Sequence, residues 1–178
     1  HIRSMTIDQS QQSGHINSIG FELYCQLLRS TVARMKGLPD QMPVQVDVAL
    51  DFLNFVSRPL EGKLGAGFSK EYIGSERLRL EAYRKLSACQ SDLEVKKLRE
   101  ELVDRYGALP DEAHVLLLFQ KIKIVISAGE YYSLSVVDHK IIIEDGNGIY
   151  RVDGKVPTLK KKKPKAMLTE LHSFLKKR

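Results

Sequence analysis

The chain has 178 residues with 43% apolar and 28% charged side chains, the composition of about one ordinary globular domain rather than a disordered or fibrous chain. Its apolar runs fall far short of the roughly 20 residues of a membrane span, no signal peptide is visible, and two isolated cysteines, Cys25 and Cys89, suit a reducing cytoplasm and offer no disulfide framework. The net charge of +6 is unevenly placed: ten of the 28 Lys/Arg and only two of the 22 Asp/Glu lie between Arg151 and Arg178, so that stretch carries +8 while residues 1–150 carry −2.

The opening His1-Ile2-Arg3-Ser4-Met5 reads as a vector-derived leader, and residues 1–10 are expected to stand outside the domain. From Ser18 to Lys36 the apolar residues Ile19, Leu23, Tyr24, Leu27, Leu28, Val32 and Met35 recur at helical spacing, with Gly37 and Pro39 as the stop. Val44, Val46 and Val48 alternate with Gln45 and Asp47, a strand pattern. Residues 54–74, with Pro59 and four glycines, show no period and read as a loop. Ser75 is placed to cap a helix from Glu76 to about Ala88. A second helix is expected over Asp92–Tyr106, with Leu93, Leu98, Leu102 and Val103 inward and Gly107 as its cap. Pro110 opens a third, with Asp111 and Glu112 in its first turn, running to about Ala128-Gly129.

The texture then becomes β-branched and aromatic. Tyr131–Val137, Lys140–Glu144 and Ile149–Val152, parted by Asp138-His139 and Asp145-Gly146-Asn147-Gly148, read as a small antiparallel meander. The lysines Lys160, Lys161, Lys162, Lys163 and Lys165 follow, and Ala166–Lys177 carries Met167, Leu168, Leu171, Phe174 and Leu175 on one helical face. The expected architecture is α/β of the α+β kind: a helix-rich core over 11–152 with a small antiparallel meander, a basic linker over 153–165, and a C-terminal helix of the same domain over 166–178.

Candidate chemistry is sparse. Asp111-Glu112-Ala113-His114 spells the acidic box of helicases, but it follows Leu109-Pro110 and opens a helix. No phosphate-binding G-x-x-x-x-G-K-[ST] accompanies it. The five histidines, His1, His15, His114, His139 and His172, have no zinc-site spacing, and no serine-nucleophile signature is present. The residues therefore support neither an active site nor a metal or cofactor. The lysine run offers nonspecific phosphate contacts. No aromatics interleave it for base stacking, and a solvated linker explains it as well. Glu101 and Asp104, three apart, share a helix face beside Arg105. They form either a solvated face with local Arg pairing or an acidic patch that meets a partner's basic residues.

Three ordered strings add a resemblance. Gln12-Ser13-Gly14-His15-Ile16 with Ile19-Gly20-Phe21-Glu22-Leu23-Tyr24, then Glu71-Tyr72-Ile73 through Glu76-Arg77-Leu78-Arg79-Leu80-Glu81-Ala82-Tyr83, then Glu101-Leu102-Val103-Asp104-Arg105-Tyr106-Gly107 before Leu109-Pro110, together resemble the C-terminal domain of the bacterial transcription-repair coupling factors. The likeness covers roughly residues 11–130. It departs at Ile73-Gly74-Ser75, where the family writes Ile-Pro-Asp, and at Thr6–Ser10, which is not the R-G-A-G-N translocation motif.

The resemblance implies a non-catalytic regulatory domain without a cofactor. The parent would be a cytoplasmic, ATP-driven translocase on duplex DNA that displaces stalled RNA polymerase and recruits UvrA, with its motor outside this chain. The domain would dock on the parent's N-terminal UvrB-like module and mask UvrA recruitment through Glu101 and Asp104, with Arg105 adjacent. The competing expectation is a nucleic-acid-binding module that uses Lys160–Lys163 and Lys165.

Overall fold

The computed structural model describes residues 20–34, 46–55 and 61–177. Residues 1–10, the Gln12–Ile19 string, Met35, Val44 and residues 56–60 lie outside the described residues. Eleven elements are described in chain order. They are α1 (Phe21–Arg34), β1 (Asp47–Leu50), β2 (Leu53–Asn54), β3 (Leu64–Gly65), α2 (Glu76–Ala88), α3 (Asp92–Tyr106), α4 (Asp111–Ala128), β4 (Ser133–Val137), β5 (Lys140–Asp145), β6 (Gly148–Ile149) and α5 (Pro164–Lys176). The α+β class expected from the sequence is the one observed.

The helix boundaries follow local chemistry. Ser75 Oγ accepts from the Leu78 amide at 3.3 Å and Ser91 Oγ from the Glu94 amide at 3.2 Å, each satisfying a donor that the first turn leaves unpaired. Ser75 thus does the work of the missing Asp. Gly107 ends α3 at φ +90, where a β-carbon would be strained. Within α3 the seam is Val95, Leu98 and Leu102. Leu93 and Val103 are not inward as expected: they are 59% and 37% exposed. At 100° per residue, Leu93 lies about 160° from Val95 and Val103 about 100° from Leu102, so neither joins that seam.

The stretch expected as a loop is ordered by tertiary partners. Leu53-Asn54 pairs in parallel with Leu64-Gly65, and Ala66, Phe68 and Ile73 are buried. Leu64 N–H donates to the Phe52 carbonyl at 2.8 Å, Ala66 N–H to Asn54 at 2.9 Å, and Gly67 N–H to Glu112 at 3.0 Å. Glycine and proline erase the periodic signal here, but the amides still find acceptors elsewhere in the fold.

The β4–β5–β6 meander is antiparallel. Asp138 and His139, at φ +48 and +66, form the two-residue turn whose twist suits a hairpin. The sheet as a whole is mixed, in the order β1-β4-β5-β6, because β1 lies parallel to β4 in the register Asp47↔Ser133 to Leu50↔Val136. Alternation identifies a strand but not its neighbour, and this neighbour lies three helices downstream. Val48, Leu50, Leu134, Val136, Ile141 and Ile143 are buried and join one hydrophobic core.

Helix α4 is the hub of that core. Its buried residues fall on every side, from Ala113 through Phe119 to Ile126, as expected of a helix enclosed by others; it packs against α2, α3, α5 and β3. Helix α5 docks through Met167, Leu168, Leu171 and Leu175. The segment between the meander and α5 is laid along β5: Ile141 N–H donates to Pro157 at 2.8 Å and Leu159 N–H to His139 at 2.7 Å, and Leu159 is buried.

Candidate interdomain interface

The described part of the first string, Gly20–Tyr24, meets the second in space, and the second meets the third. Gly20 is required by close approach, since a β-carbon there would sit 2.6 Å from Phe55 Cβ. Next to it, Phe21 is fully buried, and Phe21, Tyr24 and Phe68 all pack on the Tyr83 ring at 5.7, 6.1 and 5.2 Å between centroids. Glu22 accepts from the buried Lys123 ammonium at 3.0 Å, tying α1 to α4. Arg79 of the second string donates to the Ile73 carbonyl at 2.7 Å, holding the entry to α2.

The second string also braces the third. The Tyr72 hydroxyl lies 3.1 Å from the Leu102 carbonyl and 2.9 Å from that of Gly107. Its one proton is shared between two carbonyls at the C-terminal end of α3. The Tyr72 ring meets Tyr106 edge-on at 5.8 Å, and the Arg105 guanidinium lies 5.6 Å from the Tyr106 centroid. The helix that carries Glu101, Asp104 and Arg105 is thereby held rigid at its C-terminal end.

On that helix the three candidates have different surroundings. Glu101 accepts from Lys85 Nζ at 2.5 Å and lies 3.5 Å from Arg105 Nη1. Lys85 is also 4.0 Å from Glu81, which pairs with Arg77 at 3.8 Å. The hydrogen bond from Lys85 holds the Glu101 carboxyl below its ordinary range against a smaller opposing effect of burial, and Arg105 helps. Glu101 stays ionised, its charge partly met from within the chain. Asp104 is exposed and has no ion pair among the described residues. Lys85 was missed in the sequence because it stands on another helix, and no periodicity links it to Glu101.

The other candidates resolve simply. Asp111 and Glu112 occupy the first turn of α4. The five lysines of the basic run are exposed. The run is anchored by its backbone: the Glu170 carboxylate accepts from the Lys160 amide at 2.7 Å and from the Lys161 amide at 3.0 Å. Cys25 and Cys89 are free, and burial pushes both thiols up to about 11. Among the described residues no group of three or more His, Cys, Asp or Glu is placed to hold a metal ion, and no helix is long and apolar enough to cross a membrane.

Comparison with known proteins agrees with the strings. Residues 63–147 match the model of the TRCF domain. The chain is similar to transcription-repair-coupling factors from Mycobacterium tuberculosis (35% identity over 124 residues, 65% of this chain and 9% of the relative), Myxococcus xanthus (33% over 136 residues, 76% and 10%) and Helicobacter pylori (30% over 132 residues, 74% and 12%). It thus spans about a tenth of the length of these curated relatives. Its fold is that of a crystal structure of the C-terminal domain of transcription-repair coupling factor, with a TM-score of 0.57 at 22% identity, covering 75% of this chain and 92% of that one. The chain belongs to the TRCF domain family.

Proposed function

We propose that this domain is a non-catalytic regulatory part of a cytoplasmic transcription-repair coupling factor. It docks through the α3 face of Glu101 and Asp104, with Arg105, on the N-terminal UvrA-recruiting module of the same parent. Docked there, it masks UvrA recruitment until the parent, an ATP-driven translocase on duplex DNA, engages RNA polymerase. The observation that carries this reading is the presentation of Asp104. It is an exposed carboxylate, without an ion pair among the described residues, on a helix end braced by Tyr72, beside Glu101, whose low proton affinity keeps a second negative charge at the same face. Such a face suits basic residues of a partner, and charge pairing sets specificity and on-rate more than raw affinity.

The test is a binding titration of this chain against the parent's N-terminal module at two salt concentrations. Glu101→Arg with Asp104→Arg is expected to weaken binding by about tenfold or more at low salt, and less at high salt. Unchanged affinity in the double variant overturns the assignment. A nucleic-acid role for Lys160–Lys163 and Lys165 is not favoured: the run has exposed charge but no aromatic residue interleaved for a base to stack on.

A further inference from the structure

The flank of α3 opposite Glu101 is chemically different. An open groove of about 590 Å³ runs there between α3 and α4. Lys96 and Arg99 line it from α3 and Lys121 from α4; none of the three is in an ion pair among the described residues. Asp92, the acid in the lining, is paired with Lys176 at 3.4 Å. The groove is therefore strongly positive, in a body whose sequence is net negative.

Between the cations the surface is apolar. Val95 and Leu117 form its floor, Leu118 is half-buried, and Leu93 is 59% exposed. That exposed leucine is the one that the α3 periodicity placed inward. His114, Leu118 and Lys121 are spaced along α4 as residues of one stripe. Over seven residues the stripe extends about 10 Å, enough to seat two turns of a helix. Helix α5 is not the occupant, because its Met167, Leu168, Leu171 and Leu175 are already buried in the core.

We propose that this groove docks an acidic amphipathic helix of another protein. Its apolar side chains would enter between α3 and α4, and its flanking carboxylates would reach Lys96, Arg99 and Lys121. Charge complementarity and the apolar floor select that partner together. A phosphate backbone would use the cations but gain nothing from Leu93, Leu117 and Leu118, and among the described residues no Phe, Tyr or Trp ring lines the groove for a base to stack on.

The probe is a labelled Leu/Glu amphipathic peptide of roughly 18 residues, five helical turns, titrated into the intact chain and followed by fluorescence anisotropy. A scrambled peptide of the same composition and a short DNA duplex serve as comparisons. Lys96→Glu with Lys121→Glu should weaken binding of the patterned peptide about tenfold or more, while Lys63→Glu with Lys97→Glu, the same charge change off the groove, should weaken it by less than about threefold. Lys96→Gln with Lys121→Gln, gentler on the fold, should fall between. Equal weakening by the two Glu pairs, or equal binding of the scrambled peptide, overturns the proposal. So does DNA binding that depends on Lys96 and Lys121 when peptide binding does not.

Discussion

The helical body and the C-terminal segment close themselves in opposite ways. In the body a neutral hydroxyl, Tyr72, covers the carbonyls at the end of α3. In the tail a carboxylate, Glu170, gathers the amides of Lys160 and Lys161. Carbonyls take a donor and amides an acceptor, so each region is closed by a side chain of the matching kind. The difference bears on charge. The tail's one glutamate is committed to its backbone, which leaves the lysine side chains exposed. The body joins charge to charge across helices, as Lys85 does with Glu101 and Lys123 with Glu22. A run of like charge can thus be locally ordered while none of its charges is neutralised.

The tail should be the more sensitive to losing its closing group. Glu170→Ala removes a charged acceptor from two amides and is expected to cost about 1–2 kcal/mol, discounted for solvent at an exposed site. Hydrogen exchange at Lys160 and Lys161 should accelerate while α2 and α3 stay protected; unchanged exchange there would show that the closure does not depend on this carboxylate. Tyr72→Phe keeps the ring on Tyr106 and deletes the hydroxyl, with an expected loss of about 1 kcal/mol in denaturant unfolding. A loss equal to that of Glu170→Ala would erase the contrast between the two closures.

The smallest effect is a pH dependence that separates the regions. In the tail, burial, reinforced by Lys176 and Lys121 and opposed by Asp92, lowers the proton affinity of His172 below its ordinary 6.5. The unfolded chain then binds more protons than the folded one as pH falls through 6.5, so stability declines there and the decline is complete below the depressed value. Glu101, depressed below its ordinary 4.5 by Lys85, contributes stability that is present above 4.5 and lost only in stronger acid. His172→Leu should flatten the first decline and leave the second. Chemical denaturation between pH 7 and pH 3 reads both, and a first decline that survives His172→Leu would assign it elsewhere.

Much of this was legible in the chain. The caps Ser75 and Gly107, the helices of the body, the β4–β5–β6 hairpins and the apolar face of α5 are local: each follows from residues within a few positions, where spacing and backbone preference act directly. The helix start at Asp111 was legible too, because Leu109-Pro110 precedes it and acids fill the first turn. The three family strings named the domain, although their physical reason, the packing of Phe21 and Tyr24 on Tyr83 and of Tyr72 on Tyr106, appears only in three dimensions.

What the fold alone decided are the non-local pairings. Beta-strand β1 could have stood anywhere until β4 supplied its parallel partner, and the glycine-rich stretch looked like a loop until Phe52, Asn54 and Glu112 supplied acceptors for its amides. Lys85 on Glu101 and the basic groove between α3 and α4 arise from residues on separate helices. By itself the sequence determined the helices and the meander, the family and the division of charge between body and tail. The tertiary structure decided which charges are met and which remain available, because an ion pair depends on distance in space and a helical period reports only the face of its own helix.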